Sequence, residues 1–348
     1  MQIKASVTPP VGERRIYANL RAGLLFLTAA LIGCGGAEDD PVTSIAPSSE
    51  AIEAEAPNLR ANTPASVPVN YIATPHGYFH PSCVLELGDD EWIGNDGDVA
   101  RIDGNKRAIG ACRHPRYNRH GWLIRQDKDG QTVPPPTVNG WLGSVSSTSA
   151  GPVKSISATW HVPHAPRVVA SQTLYFFSGL EPAATGDTIL QPVLAWNGFY
   201  DRRWTIASWN CCKGGNALHS NPKAVATGDM ITGTVEGAGC NVAGACSSWT
   251  VRTASSGGTS TTLRTTSYGE VLDWEFGGVL EAYGLAACNQ YPPDDGIVFS
   301  TIGTRLATGA VAQPAWLSSM TDGESPGCLT SVSADPGGTS VRLAWMVR

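Results

Sequence analysis

Apolar residues in this 348-residue chain never keep a helical period for more than a few positions, which sets aside helix bundles and helix-covered parallel sheets. Positive charge is short as well. With 24 Lys+Arg against 30 Asp+Glu the formal charge is −6, and an acidic chain gains nothing from phosphates, so nucleic acid is not an expected partner. The uncharged stretch 22–33 near the N-terminus is too short to cross a bilayer as a helix. What the chain does have is 39 glycines, 24 prolines and nine cysteines, the residues of turns and disulfides.

Lys4, Arg14, Arg15 and Arg21 precede that uncharged stretch, the pattern of an export signal. It ends in Leu31-Ile32-Gly33-Cys34, which resembles the lipobox of bacterial lipoproteins. The resemblance implies cleavage before Cys34, acylation of that cysteine and a lipid anchor holding the protein at the cell envelope, outside the cytoplasm. Gly35, standing where Asp is absent, resembles outer-membrane sorting in a Gram-negative host. Residues 1–33 carry four basic residues and Glu13, so without them the counts become 20 Lys+Arg and 29 Asp+Glu, a formal charge of −9. Residues 34–68 hold Glu38, Asp39, Asp40, Glu50, Glu53 and Glu55 against Arg60, and cannot bury enough apolar surface to order themselves. They read as a solvated tether.

With Cys34 acylated, Cys83, Cys112, Cys211, Cys212, Cys240, Cys246, Cys288 and Cys328 remain. An even number in an exported chain favours disulfides over metal thiolates. Cys240 with Cys246 closes a short loop, and Cys83–Cys112 and Cys288–Cys328 are plausible neighbours. Cys211 and Cys212 either bond to each other or pair elsewhere.

Residues 69–145, with HGYFHPSC, GNDGDVARIDGN and PPPTVNGW, read as an N-terminal subdomain of short strands and loops. The pattern sharpens in 146–348. SISATWHV alternates Ile156, Ala158, Trp160 and Val162 with polar neighbours, a period of two. Similar runs recur at TLYFF, TILQPVLAW, WTIASW, DMITGTV, SWTVRT, TTLRTT, GGVLEAYGL and GIVFSTI, separated by Gly, Pro, Asn and Asp turns. They predict an all-β fold, a two-sheet antiparallel β-sandwich or jelly roll, and a monomer.

Two polar residues intrude on otherwise apolar strand faces. In TILQPVLAW, Gln191 shares a face with Ile189, Val193 and Ala195, while Leu190, Leu194 and Trp196 take the other. Pro192 cannot donate to a ladder and so marks an edge or a bulge beside it. In GGVLEAYGL, Glu281 shares a face with Val279, Tyr283 and Leu285. A buried amide without partners costs roughly 1 to 3 kcal/mol, and a carboxyl among apolar neighbours has a raised pKa. Such groups cluster at functional sites.

The ordered series ATWHVP (158–163), TILQPVL (188–194), WTIASW (204–209), TGDMITGTV (227–235), SWTVRT (248–253), VLEAYGL (279–285) and GIVFSTI (296–302) resembles the eqolisins, the glutamic endopeptidases. It covers about residues 150–302. The resemblance implies a sandwich of two seven-stranded sheets, related to concanavalin-like legume lectins, with a catalytic glutamine and glutamate on the concave sheet. The glutamine maps onto Gln191. The acid maps onto Glu281, whose strand alternates cleanly, with Glu275 or Asp273 as alternatives. In that reading Glu281 is general base on a water and later returns the proton to the leaving amine. Gln191 orients the water and donates an N–H to the oxyanion. Trp160, Trp204, Trp209 and Tyr283 line the substrate groove. The substrate is a protein or peptide, and no metal or cofactor is called for. The family has a glutamate where this chain has Ser208, so a second reading stands beside the first: a non-catalytic, lectin-like sandwich that binds peptide or glycan on the same concave face.

Other signals are set aside. GESPG (323–327) has the letters of a serine-nucleophile elbow without the strand, turn and helix it needs. His76, His80 and Cys83 are interrupted by Gly77 and Pro81, so no helix gathers them for a metal. NDGDVARIDG lacks the ligand spacing of a calcium loop. His219 reads as a loop histidine.

Overall fold

A computed structural model of the chain describes residues 62–126, 132–133, 140–184, 188–200, 202–321 and 326–347. The leader, Cys34, most of the tether and residues 323–325 of GESPG lie outside them. Among the described residues there is no α-helix, and no helix long and apolar enough to cross a membrane.

Two large sheets face each other. One holds nine strands, ordered Leu317–Met320, Trp141–Thr148, Trp274–Tyr283, Thr173–Glu181, Ile189–Trp196, Trp204–Cys211, Ala217–Ser220 and Val84–Leu87, with Lys223–Ala224 beside Trp204–Cys211. The other holds ten, with Gly296–Leu306, Val153–His161, Met230–Ala238 and Ser248–Ser255 at its centre. The expected sandwich is therefore present, with more strands per sheet than the family resemblance implies. Part of the surplus comes from the N-terminal residues. Val84–Leu87 joins one sheet as a parallel edge strand, and Glu91–Ile93 meets the other through a parallel pairing of Trp92 with Arg264. These are the parallel ladders in a fold that is otherwise antiparallel, and they cover strand edges that would otherwise be open to pairing. The strand-like SVRLAWMV supplies Val341–Trp345 of the ten-stranded sheet.

Period-two alternation gives the central strands of the nine-stranded sheet two buried faces, whereas those of the ten-stranded sheet bury one. Inner faces meet around Trp160, Phe176, Leu194, Trp204, Leu280 and Phe299. The outer face of the nine-stranded sheet is also buried: Tyr175, Phe177, Val193, Trp209 and Val279 pack under Val67, Tyr71, Tyr78 and Phe79. Those covering residues come with a small five-stranded sheet that includes Ile72–Thr74, Gly77–Phe79 and Arg116–Tyr117. All described residues belong to one compact unit.

Disulfides join Cys83 to Cys112, Cys240 to Cys246 and Cys288 to Cys328, and Cys211 bonds to Cys212. Pro192 does not mark an edge. Its strand is central and pairs without a break from Ile189 to Trp196 with Cys211 to Trp204. On its other side the ladder lapses between Phe177↔Val193 and Leu180↔Leu190, where the missing N–H falls. Its ring instead faces inward onto the site of Gly233, where a Cβ would stand 2.6 Å from Pro192 Cγ.

Candidate functional site

Gln191 and Glu281 lie on the same outer face of the nine-stranded sheet, each with 0% of its surface exposed. The faces expected from alternation hold on both strands except for Leu285, which lies beyond the end of Trp274–Tyr283 and packs against the inner core. The ladder nevertheless keeps the pair apart. Tyr175 is the cross-strand partner of both Glu281 and Ala195, so Glu281 is level with Ala195 and Gln191 lies four residues further along. Two strand spacings and four residues put their backbones roughly 16 Å apart, with Phe177, Val193 and Val279 in the same layer. Glu275 is level with Leu190, but it pairs with inward-facing Leu180 and points into the sandwich, on the opposite face from Gln191. There its Oε2 accepts from Thr304 Oγ1 at 2.5 Å, and burial raises its pKa to about 7. Asp273 accepts from the Ala183 N–H. No glutamine–acid dyad is assembled from these residues.

The two intruders have separate surroundings. Glu281 Oε1 accepts from the Tyr283 hydroxyl and, at 3.0 Å, from the Gly140 N–H. Burial raises its pKa to about 8, opposed by those two donors and the Arg119 charge. Oε2 has no partner among the described residues. Tyr175 and Tyr283 are pushed above the ordinary phenol range by burial and by this acid. The Tyr283 ring meets Tyr78 edge-on and forms part of the wall of a cavity of about 400 Å³. Tyr71, Phe199, Asn70 and Asn197 line it too, and none of its described lining residues is charged. Asn197 holds the turn below it, donating to Gln172 O at 2.9 Å and accepting from the Arg202 N–H.

Gln191 sits beside His76, which arrives on the turn between two strands of the small sheet. The amide is close enough to favour protonation of that ring, yet neither of its polar atoms is in hydrogen-bond geometry with a described group. Burial first, and the Arg116 charge second, push His76 down to about 3. Gln191 faces Trp209 directly and Cys211 on the diagonal. Ligand atoms of His76, Cys211 and Cys212 all lie within 4.8 Å of one another.

Of the expected groove residues, Trp209 and Tyr283 are on the outer face, while Trp160 and Trp204 are sealed between the sheets and line no groove. Trp204 and Trp209 stand five positions apart on one strand, so a period of two already forbids them a common face. His219 is not in a loop: it lies in the strand Ala217–Ser220, packed on Trp209 and Phe199, with its pKa lowered by burial. Ser208 faces inward to Thr253 and Thr261. His80 contacts Ser82, and Cys83 is in a disulfide, so the set His76, His80 and Cys83 does not form a site. Sequence reasoning missed Arg116, Tyr175 and the partnership of His76 with Cys211 and Cys212, because each depends on contacts across distant parts of the chain.

No protein-family model matches the chain, and no curated protein matches it. Among solved structures it is similar to scytalido-glutamic peptidase with a peptide-based transition-state analogue, at 14% identity over 59% of this chain and 98% of that one, with a TM-score of 0.42. It is also similar to SCP-B, an eqolisin-family peptidase bound to the tripeptide Ala-Ile-His, at 15% identity over 59% and 98% of the chains, with a TM-score of 0.41.

Proposed function

We propose that this protein is a ligand-binding β-sandwich, tethered at the cell envelope through Cys34, that takes an uncharged segment of peptide or glycan into the cavity walled by Tyr71, Phe199 and Tyr283. The observation that supports this reading is the cavity lining, in which Tyr71, Phe199 and Tyr283 stand beside Asn70 and Asn197, while the ladder register sets the backbones of Gln191 and Glu281 roughly 16 Å apart. Aromatic rings beside asparagine amides and hydroxyls, with no charge among the described lining, suit neutral polar chains.

Hydrolysis is a second reading with one observation behind it. Glu281, held protonated by burial and bonded to a tyrosine on the cavity wall, is the kind of perturbed acid that general acid catalysis uses. That reading assigns the chemistry to Glu281 and Tyr283, and gives Gln191 no part in it.

The test pairs two assays on the full-length protein. Calorimetric titration against neutral peptides and oligosaccharides is expected to find binding that Tyr71→Ala and Asn197→Ala weaken at least tenfold. Incubation with an unfolded protein from about pH 2 to 7 is expected to leave it intact. Cleavage abolished by both Gln191→Ala and Glu281→Gln would restore the dyad and overturn the binding reading; cleavage abolished by Glu281→Gln alone would favour the second. Mass spectrometry of the mature N-terminus checks the anchor, which is excluded by an unmodified Cys34.

A further inference from the structure

Three of the four disulfides close loops, with sequence separations of 29, 6 and 40 residues, whereas Cys211–Cys212 has a separation of 1. A cross-link acts as a brace mainly by closing a loop in the unfolded chain. Between neighbours there is no loop to close, so bracing does not account for this pair. Its surroundings suggest another use. Cys211 and Cys212 are 1% and 7% exposed, and His76 reaches them from a different part of the chain, with the ligand atoms of all three within 4.8 Å of one another. His76 Nε2 is shielded and has no hydrogen-bond partner among the described residues. Beside it is Gln191, fully buried, with both amide atoms unpartnered.

We propose that Cys211, Cys212 and His76 form a redox-gated site for a thiophilic divalent d10 cation of the zinc and cadmium class. The site is closed while the sulfurs are bonded to each other and open once they are reduced. The opening step is thiol–disulfide exchange with a dithiol: two electrons and two protons pass to the disulfide, giving two thiols, and the donor leaves as its own disulfide. The cation then displaces both thiol protons, and two thiolates and a neutral imidazole bind it, leaving the site without net charge. In a tetrahedral site with such ligands, neighbouring donor atoms stand about 3.5 to 4 Å apart; the two sulfurs, bonded to each other in this state, separate on reduction, and the His76 ring already lies within 4.8 Å of both. The amide oxygen of Gln191 or a water completes the fourth position. This explains a buried glutamine that no described group satisfies, and it stands independently of the ligand proposed for the Tyr71 cavity.

The test uses Cd²⁺ with the purified full-length protein. The protein is reduced, freed of reductant without air, and titrated while thiolate-to-cadmium charge-transfer absorption is followed. Reduced parent protein is expected to bind one more Cd²⁺ per chain than the Cys211→Ser/Cys212→Ser double variant, and His76→Ala to weaken that ion at least tenfold. Oxidised parent protein is expected to show no such absorption. Equal stoichiometry in parent and double variant, or unchanged affinity in His76→Ala, overturns the proposal. Should a variant fail to fold, cadmium NMR on the reduced parent decides alone: a signal at the two-sulfur, one-nitrogen shift supports the site, and the absence of that signal overturns it.

Discussion

Gln191 and Glu281 are both fully buried polar side chains, but their energetics differ. The acid is satisfied on one oxygen and stays protonated well above its ordinary range. A carboxyl whose pKa is raised to about 8 by the fold contributes stability in full below its unfolded value, and loses it as pH rises through 8. Glu281→Gln keeps the size of the group without its charge. We expect the unfolding free energy of this variant to fall less than that of the parent between pH 5 and pH 8, by about a few kcal/mol. Parallel calorimetric profiles for the two proteins would show that Glu281 is ionised without cost where it stands. Gln191 offers no such compensation: neither amide atom is in hydrogen-bond geometry with a described group, although the amide lies close enough to His76 to favour its protonation.

At the scale of elements, inward packing is tight where the Gln191 strand crosses Met230–Ala238. A Cβ at Gly233 would stand 2.6 Å from Pro192 Cγ and 2.7 Å from the Trp160 ring, both rigid. Gly233→Ala is therefore expected to destabilise the protein by about 1 to 3 kcal/mol, read from the urea midpoint; an unchanged midpoint would show that the two sheets yield there. The small sheet depends on a different constraint. Cys83–Cys112 closes 29 residues, and its removal in Cys83→Ser/Cys112→Ser is expected to cost about 3 to 4 kcal/mol by loop closure. Protection of Tyr71 and Tyr78 amides from hydrogen exchange should fall in that variant before protection of the central strands does.

For the whole molecule, titrating groups with opposite shifts set a pH window. Glu275 and Glu281, raised to about 7 and about 8, withdraw stability as pH climbs above 4.5. His76, lowered to about 3, contributes in full above 6.5 and withdraws its share as pH falls towards 3. His219, also lowered by burial, acts in the same direction as His76, so two acids and two imidazoles oppose each other between those limits, and thermal stability is expected to be broadly level between about pH 4.5 and 6.5 and to decline on both sides. A maximum at pH 8 would contradict the burial of both acids.

Composition and period-two patterning were enough to read an all-β sandwich and to place Gln191, Val193, Glu281 and Tyr283 on their faces, because side-chain direction along a strand is a local property. The same parity rule separates Trp204 from Trp209. The disulfide partners Cys83–Cys112, Cys240–Cys246 and Cys288–Cys328 were legible as neighbours in sequence order. Only the tertiary structure decided how far apart two residues on one face stand, since that distance follows from strand order and register, which join segments ninety positions apart. It also decided that residues 67–79 cover the outer face, and that His76 meets Cys211 and Cys212. Those are contacts between remote parts of the chain, fixed by which surfaces exclude water together and not by any pattern within either part.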